Sequence, residues 1–171
     1  MATTTLPGVP VDDTLTVWWV PGGVADPASP KVAELTAATS VDISCYLTTK
    51  TFGLKTDANK WERKRRCSSS VFEINGQLKK TFEDLEYAYD PQAKAGDPMN
   101  NAQGALVPMS TGSLVIRRGI AYGTAPASGQ FVQVITGQLG PQNDNSPAEQ
   151  GDYLMLQGVS PTSDNPKVAL A

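Results

Sequence analysis

The stretch from residue 61 to 91, WERKRRCSSSVFEINGQLKKTFEDLEYAYDP, limits the possible folds of this chain more than any other, because its second half alternates. Leu85, Tyr87 and Tyr89 fall on one side; Phe82, Asp84, Glu86 and Ala88 fall on the other, until Asp90-Pro91 ends the run. A period of two residues puts one face on a core and leaves the other largely polar, as in an antiparallel sheet. Residues 67–74 read as the partner strand, with a turn around Gly76 between the two. The pattern predicts a mostly β protein.

The rest of the chain adds strands of the same kind. Residues 15–20 (LTVWWV) form a first strand closed by Pro21-Gly22-Gly23. The adjacent Trp18 and Trp19 must face opposite sides, one in the core and the other at a subunit interface or serving as a ligand platform. Ser29 as N-cap and Pro30 at the first helical position predict a short helix over 31–35. Residues 41–47 (VDISCYL) alternate as a second strand with Cys45 on its apolar side, and residues 48–60 read as a long polar loop. One or two helical turns are expected within 100–107 and strong strands over 113–122 and 129–137, with Arg117 and Arg118 flanking the pattern of the first. Residues 139–151 read as loop and 153–159 as the last strand. An extended arm over 1–14 and a tail over 160–171 complete a single domain spanning 1–171. The fold class is a β-sandwich or barrel with one or two short flanking helices.

Composition removes several function classes. A chain of 171 residues is long enough for a real core. Its net charge of -3 and pI near 4.9 do not suit bulk attraction to phosphate or to anionic lipid. The run Arg63-Lys64-Arg65-Arg66 therefore reads as a solvated strand start, or as a patch for an acidic surface on a neighbouring copy. No apolar run approaches the ~20 residues of a membrane helix, and the N-terminus has no signal-peptide pattern, so synthesis in the cytosol is expected.

No catalytic constellation is visible. The sequence contains no histidine, which rules out Ser-His-Asp and Cys-His pairs and any His-based metal site. Cys45 and Cys67 are too few for a zinc site by themselves; buried free thiols are expected, with a single disulfide as the alternative. Phosphate-binding glycine loops are missing. The pairs Asp12/Asp13 and Glu83/Asp84 read as solvated faces rather than a glycosidase pair. The clusters Asn143-Asp144-Asn145 and Ser163-Asp164-Asn165 lack the glycine and distal glutamate of a calcium loop. The expectation is a protein without enzymatic activity, metal or cofactor.

Several segments in order then carry a resemblance: Val32-Ala33-Glu34-Leu35, Val41 to Thr48 (VDISCYLT), Arg65-Arg66-Cys67, Phe72-Glu73, Leu85 to Gln92 (LEYAYDPQ) and Gly112 to Gly119 (GSLVIRRG). Over roughly residues 15–140 the chain resembles the major tail tube proteins of long, non-contractile bacteriophage tails. The resemblance implies a β-sandwich or barrel subunit that assembles as hexameric rings stacked into a tube. Such a tube would be built in the host cytoplasm and end in the virion tail. Its partners would be further copies of itself, a tape measure protein, and the tail terminator and tail tip proteins, with double-stranded DNA passing through the lumen without specific binding. A duct for DNA favours acidic walls, and the alternation places Asp84 and Glu86 together as lumen-facing candidates, or else on the outer wall. Two other classes stay open: a carbohydrate- or surface-binding β-sandwich using Trp18, Trp19 and Trp61 as stacking platforms, and a head–tail joining protein of the same fold.

Overall fold

A computed structural model describes residues 13–48, 53–64, 66–67, 71–94, 96–147 and 151–171, and of the side chain of Phe72 nothing is said. The expected arm over 1–14 lies almost wholly outside these residues. The strands in chain order are β1 (Leu15–Pro21), β2 (Val41–Asp42), β3 (Leu54–Arg63), β4 (Phe72–Phe82), β5 (Leu85–Ala88), β6 (Thr111–Arg118), β7 (Phe131–Asp144) and β8 (Leu154–Ala169). Two single-turn helices, α1 (Val32–Leu35) and α2 (Asn101–Ala105), accompany them. Six strands make one antiparallel sheet in the order β2-β1-β6-β7-β8-β5, while β3 and β4 form a separate two-stranded ribbon. The result is a curled, mostly β fold of the sandwich or barrel kind.

Alternation in β1, β6 and β7 feeds two cores at once. Val17, Trp19, Leu114, Ile116 and Ile135 point into the larger core, which β5, α2 and the base of the ribbon cover with Leu85, Tyr87, Ala102 and Phe82. Trp18, Val20, Val115, Val132 and Val134 point into the smaller one, covered by Leu35 of α1 and by Leu170. The two tryptophans do face opposite sides, but each has a core of its own, being only 7% and 1% exposed. Neither is left for an interface or a ligand, because the sheet is covered on both faces. A strand in that position reads as a continuous apolar run, which LTVWWV is.

Arg117 does not flank the β6 pattern; it is fully buried within it. Its guanidinium lies over the Trp18 ring at 5.2 Å and donates to Thr16 Oγ1 at 3.1 Å, Gln130 Oε1 at 3.0 Å and the Thr124 carbonyl at 2.7 Å. Burial pulls it below its ordinary pKa, with the Asp42 carboxylate acting against that shift. The strand stops at Arg118 rather than at residue 122, and Gly119 follows at φ 78°.

Other boundaries moved for local reasons. The second strand ends after Asp42, whose carboxylate accepts from the Ser44 backbone N–H at 2.9 Å. This Asx turn winds residues Ser44–Tyr46 into a 3-10 turn and leaves Cys45 exposed rather than on an apolar strand face. Cys67 is exposed too, and both thiols are free, so neither the buried thiols nor the disulfide is found. Helix α1 is capped at Lys31, not Ser29, and Pro30 precedes the cap. Glu34 does the capping work by accepting from the backbone N–H groups of Lys31 at 2.8 Å and Ala25 at 2.7 Å. The expected loop over 48–60 contains most of β3, and β4 runs straight through Asn75-Gly76 where a turn was expected. Residues 139–151 supply the end of β7, and the tail over 160–171 supplies the end of β8.

Gln157 ties the larger core together. Its buried side-chain amide donates to the carbonyls of Leu106 at 3.1 Å and Gly140 at 2.9 Å, and its Oε1 accepts from the Tyr87 hydroxyl at 3.2 Å. Burial pushes the Tyr87 phenol up to about 12, against a smaller opposing hydrogen bond with Gln142. On β6, Gly112 leaves room for Trp19: a Cβ there would lie 2.5 Å from the indole and 2.7 Å from the Val20 carbonyl.

Two measurements test this packing. Gly112→Ala should lower the unfolding free energy by about 1–3 kcal/mol in urea titrations, the usual cost of overpacking. Because the Tyr87 pKa is raised in the fold, its stabilising contribution is complete below pH ~10 and lost as pH climbs towards 12. Tyr87→Phe should therefore flatten the fall in stability across that window; an unchanged alkaline slope would contradict the assignment.

Candidate functional site

The surface that stands apart from this core is the β3–β4 ribbon. Among the described residues its two strands pair only with each other, from Leu54↔Phe82 to Arg63↔Phe72. Ten residues of strand span ~33 Å, so the ribbon is a long exposed arm. Its register slips between Ala58 and Lys60, where Gly76 and Gln77 of β4 oppose Asn59 alone. This bulge requires Gly76, since a Cβ would sit 2.8 Å from the Trp61 indole nitrogen and 3.1 Å from the Asn59 carbonyl.

The bulge marks a change of side. On the body half, Leu54, Ala58, Leu78 and Phe82 share one face by register. Phe82 there belongs to the larger core and Leu54 packs against it. On the tip half, Trp61 and Ile74 are cross-strand partners and, by alternation along β3, sit on the opposite face. They are 71% and 46% exposed. The other face of the tip half is charged, with Lys60 Nζ 2.9 Å from Glu73 Oε2.

A chain of polar contacts fastens the ribbon's base. Arg118 donates to Gln133 Oε1 at 2.8 Å, Gln133 donates to Asp164 Oδ1 at 2.9 Å, and Lys80 Nζ reaches Asp164 Oδ2 at 3.3 Å. Asp164 is 7% exposed in its side chain, so Lys80 answers a carboxylate that is largely out of water. Beside this pair, Leu78 and Pro161 bound an open cleft of about 320 Å³ between ribbon and β8.

The two acidic candidates are not brought onto one surface. Asp84 is exposed in the break between β4 and β5, whereas Glu86 is only 7% exposed. The break at Glu83-Asp84 interrupts the alternation expected through 81–89, so Phe82 joins Leu85 and Tyr87 in one core instead of facing away from them. Glu86 accepts from the Thr48 hydroxyl and from the Asn145 side-chain amide, both at 2.8 Å. The Thr48 backbone N–H bonds the Glu86 carbonyl at 3.0 Å, and Leu47 bridges Tyr87. Glu86 thus sits on a seam: the chain leaving β2 at one edge of the sheet returns to β5 at the other.

The basic run lies at the ribbon's tip, not at a strand start, since Arg63 ends β3 and Arg66 and Cys67 are in the turn beyond. What the sequence reading missed is the ribbon itself, hidden because a strand exposed on both faces has no apolar alternation. Charge gave the available signal. Residues 54–82 hold eight basic and three acidic side chains, a balance of +5, against six basic and fourteen acidic elsewhere, a balance of -8. Among the described residues there is no cluster of metal-ligating side chains.

The family model described as phage tail tube protein matches residues 1–171. No curated protein matches the chain. One solved structure with a similar fold is a chain of the anti-feeding prophage baseplate, determined by cryo-EM with six-fold symmetry imposed. It has a TM-score of 0.51 and 8% identity, over 95% of this chain and 96% of that one.

The seam gives a test that separates the two carboxylates. Glu86→Ala removes the largely buried carboxylate to which Thr48 and Asn145 donate, and should cost about 1–3 kcal/mol by chemical denaturation, the range for a hydrogen bond to a charged group. Asp84→Lys should change stability by less than about 0.5 kcal/mol. Equal effects would mean the burial difference is not what holds the sheet edge.

Proposed function

The chain belongs to the phage tail tube protein family, and from that premise we propose that it self-assembles as stacked hexameric rings forming the tail tube, the conduit for genome delivery. It is a structural component of the phage tail; the finer architecture is our reading. The observation that carries it is the ribbon with two strand edges left unpaired among the described residues. A lone two-stranded hairpin is marginally stable in water, and an open edge is a template for another strand. Ribbons of neighbouring copies paired edge to edge would satisfy both edges by closing into a ring. The six-fold symmetry of the baseplate structure with a similar fold supports six copies.

A closed ring of copies encloses a lumen, and DNA must slide through it without being held. Asp84, exposed beside the ribbon's base, is the residue we assign to an acidic wall; Glu86 serves the seam. The partners in this reading are the tape measure protein, on which the tube would form in the host cytoplasm, and the terminator and tip proteins at its ends. The carbohydrate-binding alternative loses two of its three stacking platforms, since Trp18 and Trp19 are both buried and Trp61 alone of the three is exposed. The protein acts by assembly rather than catalysis.

Negative-stain microscopy of the purified protein should show tubes. Single rings would indicate a joining protein, and monomers at high concentration would overturn the reading. Hydrogen exchange should find the β3 and β4 amides fast in the monomer and slow in the tube. In assembled particles, Asp84→Lys should leave tubes intact and slow genome ejection, with added salt relieving part of the defect by screening. Normal ejection would remove Asp84 from the wall.

A further inference from the structure

The ribbon's tip has no counterpart in edge pairing. Trp61 and Ile74 are exposed on one face, and Arg63 and Arg66 lie at the same end. Exposed aromatic and arginine side chains together have the composition of an interface anchor. The segment's excess of positive charge points to an acidic seat, and the rest of the chain is where the acidic residues are.

One part of that remainder combines carboxylates with exposed aromatic surface. Following the chain from the ribbon's base through β5 leads to Tyr89 and Asp90. The Tyr89 backbone N–H bonds the Tyr153 carbonyl at 3.0 Å, and the two rings meet edge to face at 6.3 Å between centroids. Tyr153 is 58% exposed, next to the exposed Asp152. The Asp90 N–H donates to Asn100 Oδ1 at 2.8 Å, which fixes the neighbouring turn where Asp97 caps Met99 at 2.9 Å. This rim holds Asp90, Asp97 and Asp152 with Lys94 as its basic residue, and its backbone is already ordered by these bonds.

We infer that the tip of the ribbon docks on the Tyr89–Tyr153 rim of a second copy, with Trp61 and Ile74 against the tyrosines and Arg63 and Arg66 against Asp90, Asp97 and Asp152. The inference rests on the tube reading and adds the contact that extends it. Tip and rim are different surfaces of one subunit, so the contact is heterologous. A heterologous contact does not use itself up: each added copy presents a fresh rim or a fresh tip. Edge pairing that closes a ring ends growth in the plane, whereas tip-to-rim docking continues from ring to ring. Because the contact is charge-matched, it weakens as salt rises.

The test uses the full-length chain and reads assembly by sedimentation and negative-stain microscopy over a range of salt. Arg63→Glu and Trp61→Ala should each raise the concentration needed for tubes by about tenfold or more, the effect of losing one anchor, and should leave monomer unfolding unchanged. Asp152→Arg should do the same, and combining it with Arg63→Glu should restore tube growth by re-pairing the charges. A second measurement is independent of affinity. In a Cys45→Ser background, Gln92→Cys, at an exposed position beside Asp90, should let oxidised tubes form a ladder of chains cross-linked between Cys67 and the introduced thiol. Wild-type chain that never forms tubes would sink the tube reading itself. Wild-type tubes with variants that assemble equally well and give no cross-link would leave that reading standing and overturn this one. Variants that assemble normally but alter DNA passage would overturn it too, by placing the basic tip at the lumen.

Discussion

The fold depends on a seam. Six strands laid side by side leave two open edges, β2 and β5. Here the sheet curls until the chain departing from β2 can reach β5 across the gap, where Leu47 bridges Tyr87 and Thr48 bonds both the backbone and the side chain of Glu86. Without that closure Leu85 and Tyr87 would lack their cover, and the larger core would open at one side. The curl comes from β7 and β8, whose register slips between Val132 and Val134, between Thr136 and Gly137, and between Leu139 and Gln142. Each slip adds local twist and bend. Pro141, Pro161 and Pro166 lie at or beside these irregularities, where the ladder does not need the missing N–H.

The same prolines explain why the C-terminal third was the least legible part of the sequence. A strand of sixteen residues with two prolines and a Ser-Asp-Asn cluster reads as a tail; only the bulges make it continuous. The core strands were legible because they are buried on both faces, and residues 17–20 and 114–116 advertise that as unbroken apolar runs. Cys45 was misplaced for a smaller reason: alternation continues through residues 41–47, but Asp42 captures the Ser44 N–H and turns the chain. Periodicity measures what a segment would do as a strand, and a single capping carboxylate is enough to stop it.

Of the acidic candidates, the sequence located the neighbourhood and misjudged its geometry. The alternation from Phe82 to Tyr89 assumed an uninterrupted strand, while the chain breaks at Glu83-Asp84 and restarts. That break sends Phe82 into the same core as Leu85 and leaves Asp84 in solvent. Glu86 could not be recognised as a seam residue because Thr48 and Asn145, its donors, lie far from it in sequence. Arg117 was hidden in a similar way, since its acceptors are neutral and come from β1 and from the segment between β6 and β7.

On the proposed assembly, the ribbon would be a surface for joining copies that the free subunit must carry without aggregating through it. A long hairpin with unpaired edges and an exposed Trp61 is a liability in a free monomer. Charge on the arm offsets this: Lys60, Arg63 and Lys64 lie close to Trp61 along β3, and two tips of like charge repel one another. The restraint is directional, because the balance of the remaining chain is acidic. Two arms meeting tip to tip are disfavoured, while an arm meeting a body is favoured. In the proposed tube, segregating +5 and -8 within one small chain would select against tip-to-tip encounters, and strand edges paired between copies would hold the product together.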